Sequence, residues 1–88
     1  AINRELAACL QTGLKPGSSR AQDAVARHYR WVCASWTPNR PAYLALGAMY
    51  VQDARFTAFY DSETPGVAAY LAEAMQIWAE ANLADQEG

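Results

Sequence analysis

The sequence predicts an all-α fold on three grounds. The chain is dominated by Ala, Leu, Glu, Arg, Gln and Met, which are good helix formers. Turn-forming Gly, Pro, Asn, Asp and Ser residues cluster at only a few points and divide the chain into helical segments. No segment alternates apolar and polar residues in the manner of a half-buried strand. We therefore expect one compact domain of about five helices, with its core between about residues 3 and 83.

The first predicted helix is short and covers about Asn3–Gln11. The second starts at Ser18 or Ser19, either of which is a good N-cap residue, and is expected to continue to about Trp36. Apart from one narrow polar strip, its circumference is apolar or small, which predicts burial against more than one neighbour. We therefore expect it to be the central helix.

The third predicted helix starts between Thr37 and Asn39, and it tolerates Pro41 because that residue lies in the first turn. One face is expected to be buried: Tyr43, Leu46, Gly47 and Tyr50. A second apolar stripe runs beside it: Ala42, Ala45 and Met49. The helix is expected to end at the Gln52-Asp53 pair.

Asp53 is predicted to cap a short fourth helix of about Ala54–Tyr60. This helix is expected to turn Phe56, and either Phe59 or Tyr60, towards the core.

The last predicted helix has Thr64 as its N-cap and Pro65 at its first position, where the missing amide hydrogen of proline costs nothing. Its apolar residues recur at helical spacing: Val67, Leu71, Ala74, Met75 and Trp78. The helix is expected to end near Leu83, and the tail 84–88 is expected to fray.

Composition limits the function classes. With 52% hydrophobic residues and a net charge of −2, the chain has the material for a folded core. It has neither an apolar run of about 20 residues nor a signal-peptide layout, so we expect a cytoplasmic protein without a membrane segment. Basic residues prevail in 1–44 and acidic residues in 45–88, an asymmetry that could guide docking against another subunit or domain. The chain lacks the clustered positive charge of a nucleic-acid-binding surface.

The sequence contains no catalytic or metal-binding pattern. His28 is the single histidine, and no nucleophile or acid lies one helical turn away from it. Cys9 and Cys33 lack a metal-binding spacing, and we expect free thiols in a reducing compartment, with a disulfide between them as the alternative. Phosphate-binding glycine motifs are absent. We therefore predict no enzyme activity, no metal site and no cofactor.

Three residues are candidates for a ligand pocket. His28 lies on an apolar arc, so we expect a neutral core histidine bonded to backbone or tyrosine, with a polar anchor inside a pocket as the alternative. Gly47 costs about 1 kcal/mol in a helix interior, which predicts a close helix crossing or a floor for a ligand. Most aromatic residues are needed for the core, but Trp36, beside the Thr37-Pro38 turn, is the predicted pocket wall.

The most specific pattern lies within Tyr43–Phe56, and it consists of Leu46-Gly47, Met49-Tyr50-Val51, Asp53 and Arg55-Phe56. Together with Trp36-Thr37-Pro38 before it and the segment Pro65–Leu71 after it, this pattern resembles the TipAS-type antibiotic-recognition domain. The resemblance extends over about 21–79. It implies a globin-like helical arrangement and a role as the C-terminal effector-binding half of a MerR-family transcription regulator.

The resemblance also implies partners. In that family the domain binds bulky, hydrophobic, heteroaromatic peptide antibiotics in a cleft between helices. A dimerising coiled coil passes the signal to an N-terminal winged-helix domain, which contacts DNA. We therefore expect a monomeric domain within a homodimeric regulator, with 1–88 as its C-terminal effector-binding domain. The alternatives are a stand-alone drug-sequestering resistance module and an interaction or dimerisation domain with a vestigial pocket.

One position departs from the family pattern. In the thiopeptide-binding founder, a cysteine directly before the Leu-Gly pair captures the antibiotic covalently, whereas this sequence has Ala45 there. The resemblance therefore implies non-covalent binding of a small molecule or peptide antibiotic. The helical pattern and the resemblance together indicate these ligand-binding residues: His28, Trp36, Ala42, Ala45, Met49 and Phe56.

Overall fold

The computed structural model describes residues 2–62 and 64–84. In these ranges the chain forms five helices and no strand: α1 (Ile2–Gln11), α2 (Ser19–Val32), α3 (Arg40–Gln52), α4 (Ala54–Tyr60) and α5 (Val67–Asn82). The prediction of an all-α fold with five helices is confirmed. The Cα radius of gyration is 12.2 Å, close to the value of about 12 Å for a compact domain of this length.

The core lies where α1, α2 and α3 pack against α5. The apolar repeat predicted for α5 is confirmed, because Val67, Leu71, Ala74 and Met75 are fully buried and Trp78 packs against the same cluster. Long-range hydrogen bonds attach α5 to the first half of the chain. The Tyr70 hydroxyl donates to the Leu14 carbonyl over 2.8 Å, for example.

Three helix starts have a side-chain cap, and those at Ser18 and Asp53 were predicted. The hydroxyl of Ser18 accepts from the Ala21 amide, and the Asn39 side chain accepts from the Ala42 amide. The Asp53 carboxylate accepts from the amide of Arg55, so that α4 begins directly after α3 ends. Each side chain satisfies an amide that has no partner within its own helix.

The second helix ends at Val32, four residues before the predicted end at Trp36. The chain must reverse here to lay α3 against α5, and the Tyr29 hydroxyl anchors the reversal by donating to the Pro38 carbonyl over 2.7 Å. Trp36 therefore lies in the connection between α2 and α3. This position leaves its side chain 47% exposed.

The prediction that Thr64 caps the last helix is wrong, because α5 begins at Val67. Gly66 has a φ of +94°, a left-handed conformation that glycine adopts readily and that breaks any helix started at Pro65. The Asp61 carboxylate caps α5 instead by accepting from the Ala68 amide over 2.9 Å. The Thr64 hydroxyl accepts a hydrogen bond from the side chain of Gln11 in α1.

The predicted frayed tail comprises residues 84–88. The carbonyl of Ala84 accepts a 2.8 Å hydrogen bond from the backbone amide of Arg40 at the start of α3. Residue 84 is therefore held against the body of the domain. Residues 85–88 lie outside the described ranges.

Gly47 lies at the crossing of α3 and α5, and it is buried there. A Cβ atom on Gly47 would lie 3.4 Å from the Sδ and Cε atoms of Met75 and 3.5 Å from the Cα atom of Ala72. The predicted close crossing is confirmed. The space at this crossing admits a methyl group at van der Waals distance and nothing larger without movement of Met75.

We expect Gly47→Ala to raise the free energy of unfolding by up to about 1 kcal/mol, because alanine is the better helix former and its methyl group fits. Gly47→Leu should lower it by about 1–3 kcal/mol, because the longer side chain must displace Met75. Urea denaturation of both variants checks the pair. A destabilised alanine variant would show that the crossing is tighter than these distances indicate.

Candidate ligand-binding site

A cavity of about 280 Å³ lies between the end of α2, α3 and α4. We call it the Trp36 cavity. Its main walls are Trp31, Trp36, Leu46, Met49, Tyr50 and Phe56. These walls are apolar and aromatic, which is the usual lining of a pocket for an apolar small molecule.

A second cavity, of about 410 Å³, is also lined by Trp31 and lies between α1, α2 and the end of α4. We call it the Phe59 cavity. It is lined by Ile2, Asn3, Arg4, His28, Trp31, Phe59, Tyr60 and Ser62. The polar side chains of Asn3, Arg4 and Ser62 give this cavity more hydrogen-bonding capacity than the Trp36 cavity has.

The structure brings three of the predicted site residues together. Trp36, Met49 and Phe56 line the Trp36 cavity, although they come from three different parts of the chain. Ala42 and Ala45 line neither cavity. They lie on α3, where Ala45 is exposed and precedes Met49 by one helical turn.

Among the cavity residues that were not predicted as site residues, Trp31 and Phe59 are the two exposed aromatic ones. Trp31 lies outside the narrow polar strip of α2, on the part of the helix that was expected to be buried, yet its side chain is 65% exposed. Phe59 is 61% exposed, because Tyr60 is the residue that α4 buries. A signal for Trp31 was available, because it follows Arg27 by one helical turn and Arg30 by one residue, which places it at the edge of the polar strip.

His28 lies at the back of the site and is only 2% exposed. Its Nδ1 atom is 2.7 Å from the Tyr43 hydroxyl, and its Nε2 atom is 3.2 Å from the Tyr50 hydroxyl. The expectation of a core histidine whose nitrogens are bonded to tyrosine is confirmed. A neutral imidazole has one donor and one acceptor nitrogen, so one phenol donates to the ring and the other accepts from it.

Burial determines the protonation states of His28 and of the tyrosines in the same cluster, Tyr43, Tyr50 and Tyr60. Removal of water lowers the pKa of His28 from 6.5 to about 4, because the imidazolium loses its hydration. The same burial raises the pKa of the Tyr43, Tyr50 and Tyr60 phenols. All four groups are therefore neutral near pH 7. The cluster forms an uncharged back wall that borders both cavities.

The described residues offer no metal site, because residues 2–62 and 64–84 contain no group of three or more His, Cys, Asp or Glu side chains that could hold an ion. Both cysteines are free thiols, with Cys9 buried in the core and Cys33 half-buried after α2. In the same ranges, no helix is long and apolar enough to cross a membrane.

Comparison with known proteins gives the family. A family model described as the TipAS antibiotic-recognition domain matches residues 1–78. The chain belongs to the TipAS family. The predicted resemblance is therefore confirmed, and it extends further towards the start of the chain than the sequence pattern indicated.

Two curated relatives of this TipAS domain are transcription regulators by name. The HTH-type transcriptional regulator SkgA of Caulobacter vibrioides is 37% identical over 81 residues, which cover 90% of this chain and 32% of SkgA. The HTH-type transcriptional activator TipA of Streptomyces coelicolor is 32% identical over 75 residues, which cover 84% of this chain and 30% of TipA. The chain thus spans about a third of the length of these relatives.

Two solved structures share the TipAS fold of this chain. One is TipAS from Streptomyces lividans in complex with nosiheptide, with a TM-score of 0.82 and 31% identity, over 91% of this chain and 57% of that chain. The other is the antibiotic binding domain of a TipA-class multidrug resistance transcriptional regulator, with a TM-score of 0.78 and 31% identity, over 91% of this chain and 86% of that chain. The predicted TipAS arrangement of helices is confirmed.

Proposed function

We propose that this chain is the C-terminal effector-binding domain of a MerR-like transcription regulator. Its ligand is a bulky, hydrophobic, heteroaromatic antibiotic or drug-like molecule, which it binds without a covalent bond. One observation carries the proposal: Trp36, Met49 and Phe56 of a TipAS domain converge on one apolar cavity. The regulator acts in the cytoplasm as a homodimer and contacts DNA through a winged-helix domain outside this chain, whereas the domain alone is a monomer.

The chemistry of the site supports binding without a reaction. The described residues that line the Trp36 cavity include no cysteine, histidine or carboxylate, so they supply no thiolate, imidazole or carboxylate nucleophile. Ala45 carries only a methyl group. Affinity must therefore come from burial of apolar surface and from stacking on the indole of Trp36.

Binding to such a domain regulates transcription only if the ligand prefers one of two conformations of the regulator. The connection 33–39 is the part of the site most suited to respond, because it carries Trp36 outside any helix. A bound aromatic ring would pack against this connection and against α3 at the same time. The ligand would thus fix the position of the end of α2 relative to α3.

The first test is a heteronuclear NMR titration of the chain with nosiheptide and a panel of planar aromatic drugs. Shifts concentrated at Trp36, Met49 and Phe56 are expected, with saturation at equimolar ligand for a tight binder. Absence of shifts with every compound would overturn the proposed binding and favour an interaction domain.

Trp36→Ala separates binding from folding. The side chain is nearly half exposed, so its removal should lower the free energy of unfolding by less than about 1 kcal/mol. Loss of an aromatic wall should weaken binding of the strongest ligand by about tenfold or more. Calorimetric titration and thermal unfolding of the same sample measure both effects. If the variant simply unfolds, Trp36 belongs to the core.

Ala45→Cys tests the direction in which a large bound ligand extends out of the Trp36 cavity. The new thiol would lie one helical turn from Met49 on an exposed face. We expect it to form a mass-detectable adduct with nosiheptide or another thiopeptide that carries a dehydroalanine, while the parent chain forms none. Ala48→Cys is the matched control, because Ala48 is exposed on α3 but lines the groove against α5 instead. Equal adduct formation by both variants would argue against a ligand that follows α3 past Ala45.

A further inference from the structure

Exposed apolar side chains are concentrated around Trp31. Among the described residues, the large hydrophobic side chains that remain exposed are Trp31, Trp36, Met49, Val51, Phe59 and Ile77. Four of these six line the Trp36 cavity or the Phe59 cavity. Contiguous exposed apolar surface of this kind marks an interaction site more often than isolated exposed residues do.

Among the described residues, Trp31 is the one that lines both cavities. It lies in the last turn of α2, and its indole centroid is 5.9 Å from the imidazole centroid of the buried His28. The indole is thus held against the core at His28, while most of its surface is exposed to solvent. The exposed indole thus borders both cavities.

The sizes of the two cavities restrict their occupants. At about 280 Å³ and about 410 Å³, they lie at or near the lower end of the range of ligand pockets in proteins, about 300–1,000 Å³. Each is suited to one fused aromatic ring system. A bulky ligand that used the Trp36 cavity alone would leave most of its surface in water.

The walls of the cavities also differ in polarity. The Trp36 cavity offers Ser35 and Tyr50 as its hydroxyl groups, whereas the Phe59 cavity is bordered by Asn3, Arg4 and Ser62. Asn3 and Arg4 carry N–H donors, whereas the Ser62 hydroxyl already donates to the Phe59 carbonyl over 2.9 Å. A ring system that carries acceptor atoms, such as carbonyl oxygens or ring nitrogens, is better matched to the Phe59 cavity.

We infer that the two cavities form one two-lobed site, in which two aromatic ring systems of a single ligand lie on either side of Trp31. The inference rests on the proposed binding function and specifies its ligand class. The ligand is an elongated or macrocyclic molecule with one apolar aromatic lobe for the Trp36 cavity and one acceptor-bearing aromatic lobe for the Phe59 cavity. Trp31 is the specificity-determining residue, because only a ligand with a linker that spans the indole can occupy both cavities.

The test uses quinoline-4-carboxamide as a single-lobe probe. Bis-amides of the same acid, with ethylene, butylene and hexylene diamine linkers, are the two-lobe probes. Each linker capped with acetamide in place of the second quinoline is the control for linker contacts. Binding is measured by calorimetry, and the contact residues are assigned by NMR.

We expect the single-lobe probe to shift resonances in both cavities. At least one bis-amide should bind more than tenfold more tightly than its capped control, since the second lobe then binds intramolecularly. Trp36→Ala and Phe59→Ala should each reduce the bis-amide to the affinity of a single lobe. Trp31→Ala should weaken the single-lobe probe in both cavities. Ile77→Ala, which removes an exposed apolar side chain outside both cavities, should change nothing.

The other outcomes separate this inference from the proposed function. If the single-lobe probe binds in the Trp36 cavity and no bis-amide gains affinity, the two-lobed site is wrong and the binding function stands. If the quinolines bind in neither cavity but nosiheptide shifts the resonances of Trp36 and Met49, the two-lobed site is again wrong and the binding function stands. If nosiheptide, the drug panel and the quinolines all fail to bind, both proposals are overturned.

Discussion

Acidification from about pH 7 to about pH 4.5 is expected to lower the free energy of unfolding by about 2–3 kcal/mol through His28 alone. The folded-state pKa of His28 is about 4, below its ordinary value of 6.5, because the ring is buried between tyrosines. The unfolded chain therefore takes up a proton before the folded chain does. The contribution is fully present above pH 6.5, begins to fall near that value and is lost near pH 4.

Urea denaturation at half-unit pH intervals measures this slope, and His28→Gln is the control. Glutamine keeps a hydrogen-bonding side chain but does not titrate, so the variant should be less stable at pH 7 and nearly independent of pH between about 6.5 and 4.5. Carboxylates begin to titrate only at the lower end of this window. If the variant keeps the slope of the parent chain, the slope does not come from His28.

Tyr43→Ala is expected to lower the free energy of unfolding by about 3–5 kcal/mol, which would leave little of the stability of an 88-residue domain. Tyr43 is fully buried, and its ring contacts those of His28, Tyr29 and Trp78, with centroid distances of 5.7, 5.0 and 5.9 Å. Truncation opens a cavity at the meeting point of α2, α3 and α5, and it also removes the phenol that bonds to Nδ1 of His28.

Tyr43→Phe separates these two effects. It keeps the ring and removes only the hydroxyl, so the expected loss is about 1–3 kcal/mol for a buried imidazole nitrogen that loses its partner. Tyr50→Phe is the matched comparison and should cost less, because the Tyr50 hydroxyl is 3.2 Å from Nε2 whereas that of Tyr43 is 2.7 Å from Nδ1. Calorimetric unfolding of the three variants checks this order. If Tyr43→Phe leaves the free energy of unfolding unchanged, His28 has a second hydrogen-bond partner available.

The sequence predicted the helices where local signals and tertiary packing agree. The spacing of Tyr43, Gly47 and Tyr50 identifies the buried face of α3 because nothing in the fold opposes it. At the end of α2 and the start of α5, tertiary contacts prevail over local preference. Tyr29 bonds to the Pro38 carbonyl, and Asp61 provides the cap for which Thr64 was predicted.

The site was harder to predict than the fold. Trp36 was identified from its place beside a turn, but a helical wheel cannot show whether a neighbouring helix covers the edge of an apolar arc. Trp31 and Phe59 remain exposed, and Tyr60 is the residue that α4 buries. The cavities arise from what the packing leaves open, and this depends on the lengths and crossing positions of several helices together.

The uneven burial of the three tryptophans gives the protein two optical signals. Trp31 and Trp36 are in contact with solvent, whereas Trp78 packs against Tyr29, with ring centroids 4.9 Å apart. Indole fluorescence moves to shorter wavelength when water leaves the ring, so a ligand that covers the first two residues shifts the emission to the blue. Unfolding exposes Trp78 and shifts its emission to the red. Ligand occupancy and folding can therefore be followed in one unlabelled sample, from opposite displacements of the same spectrum.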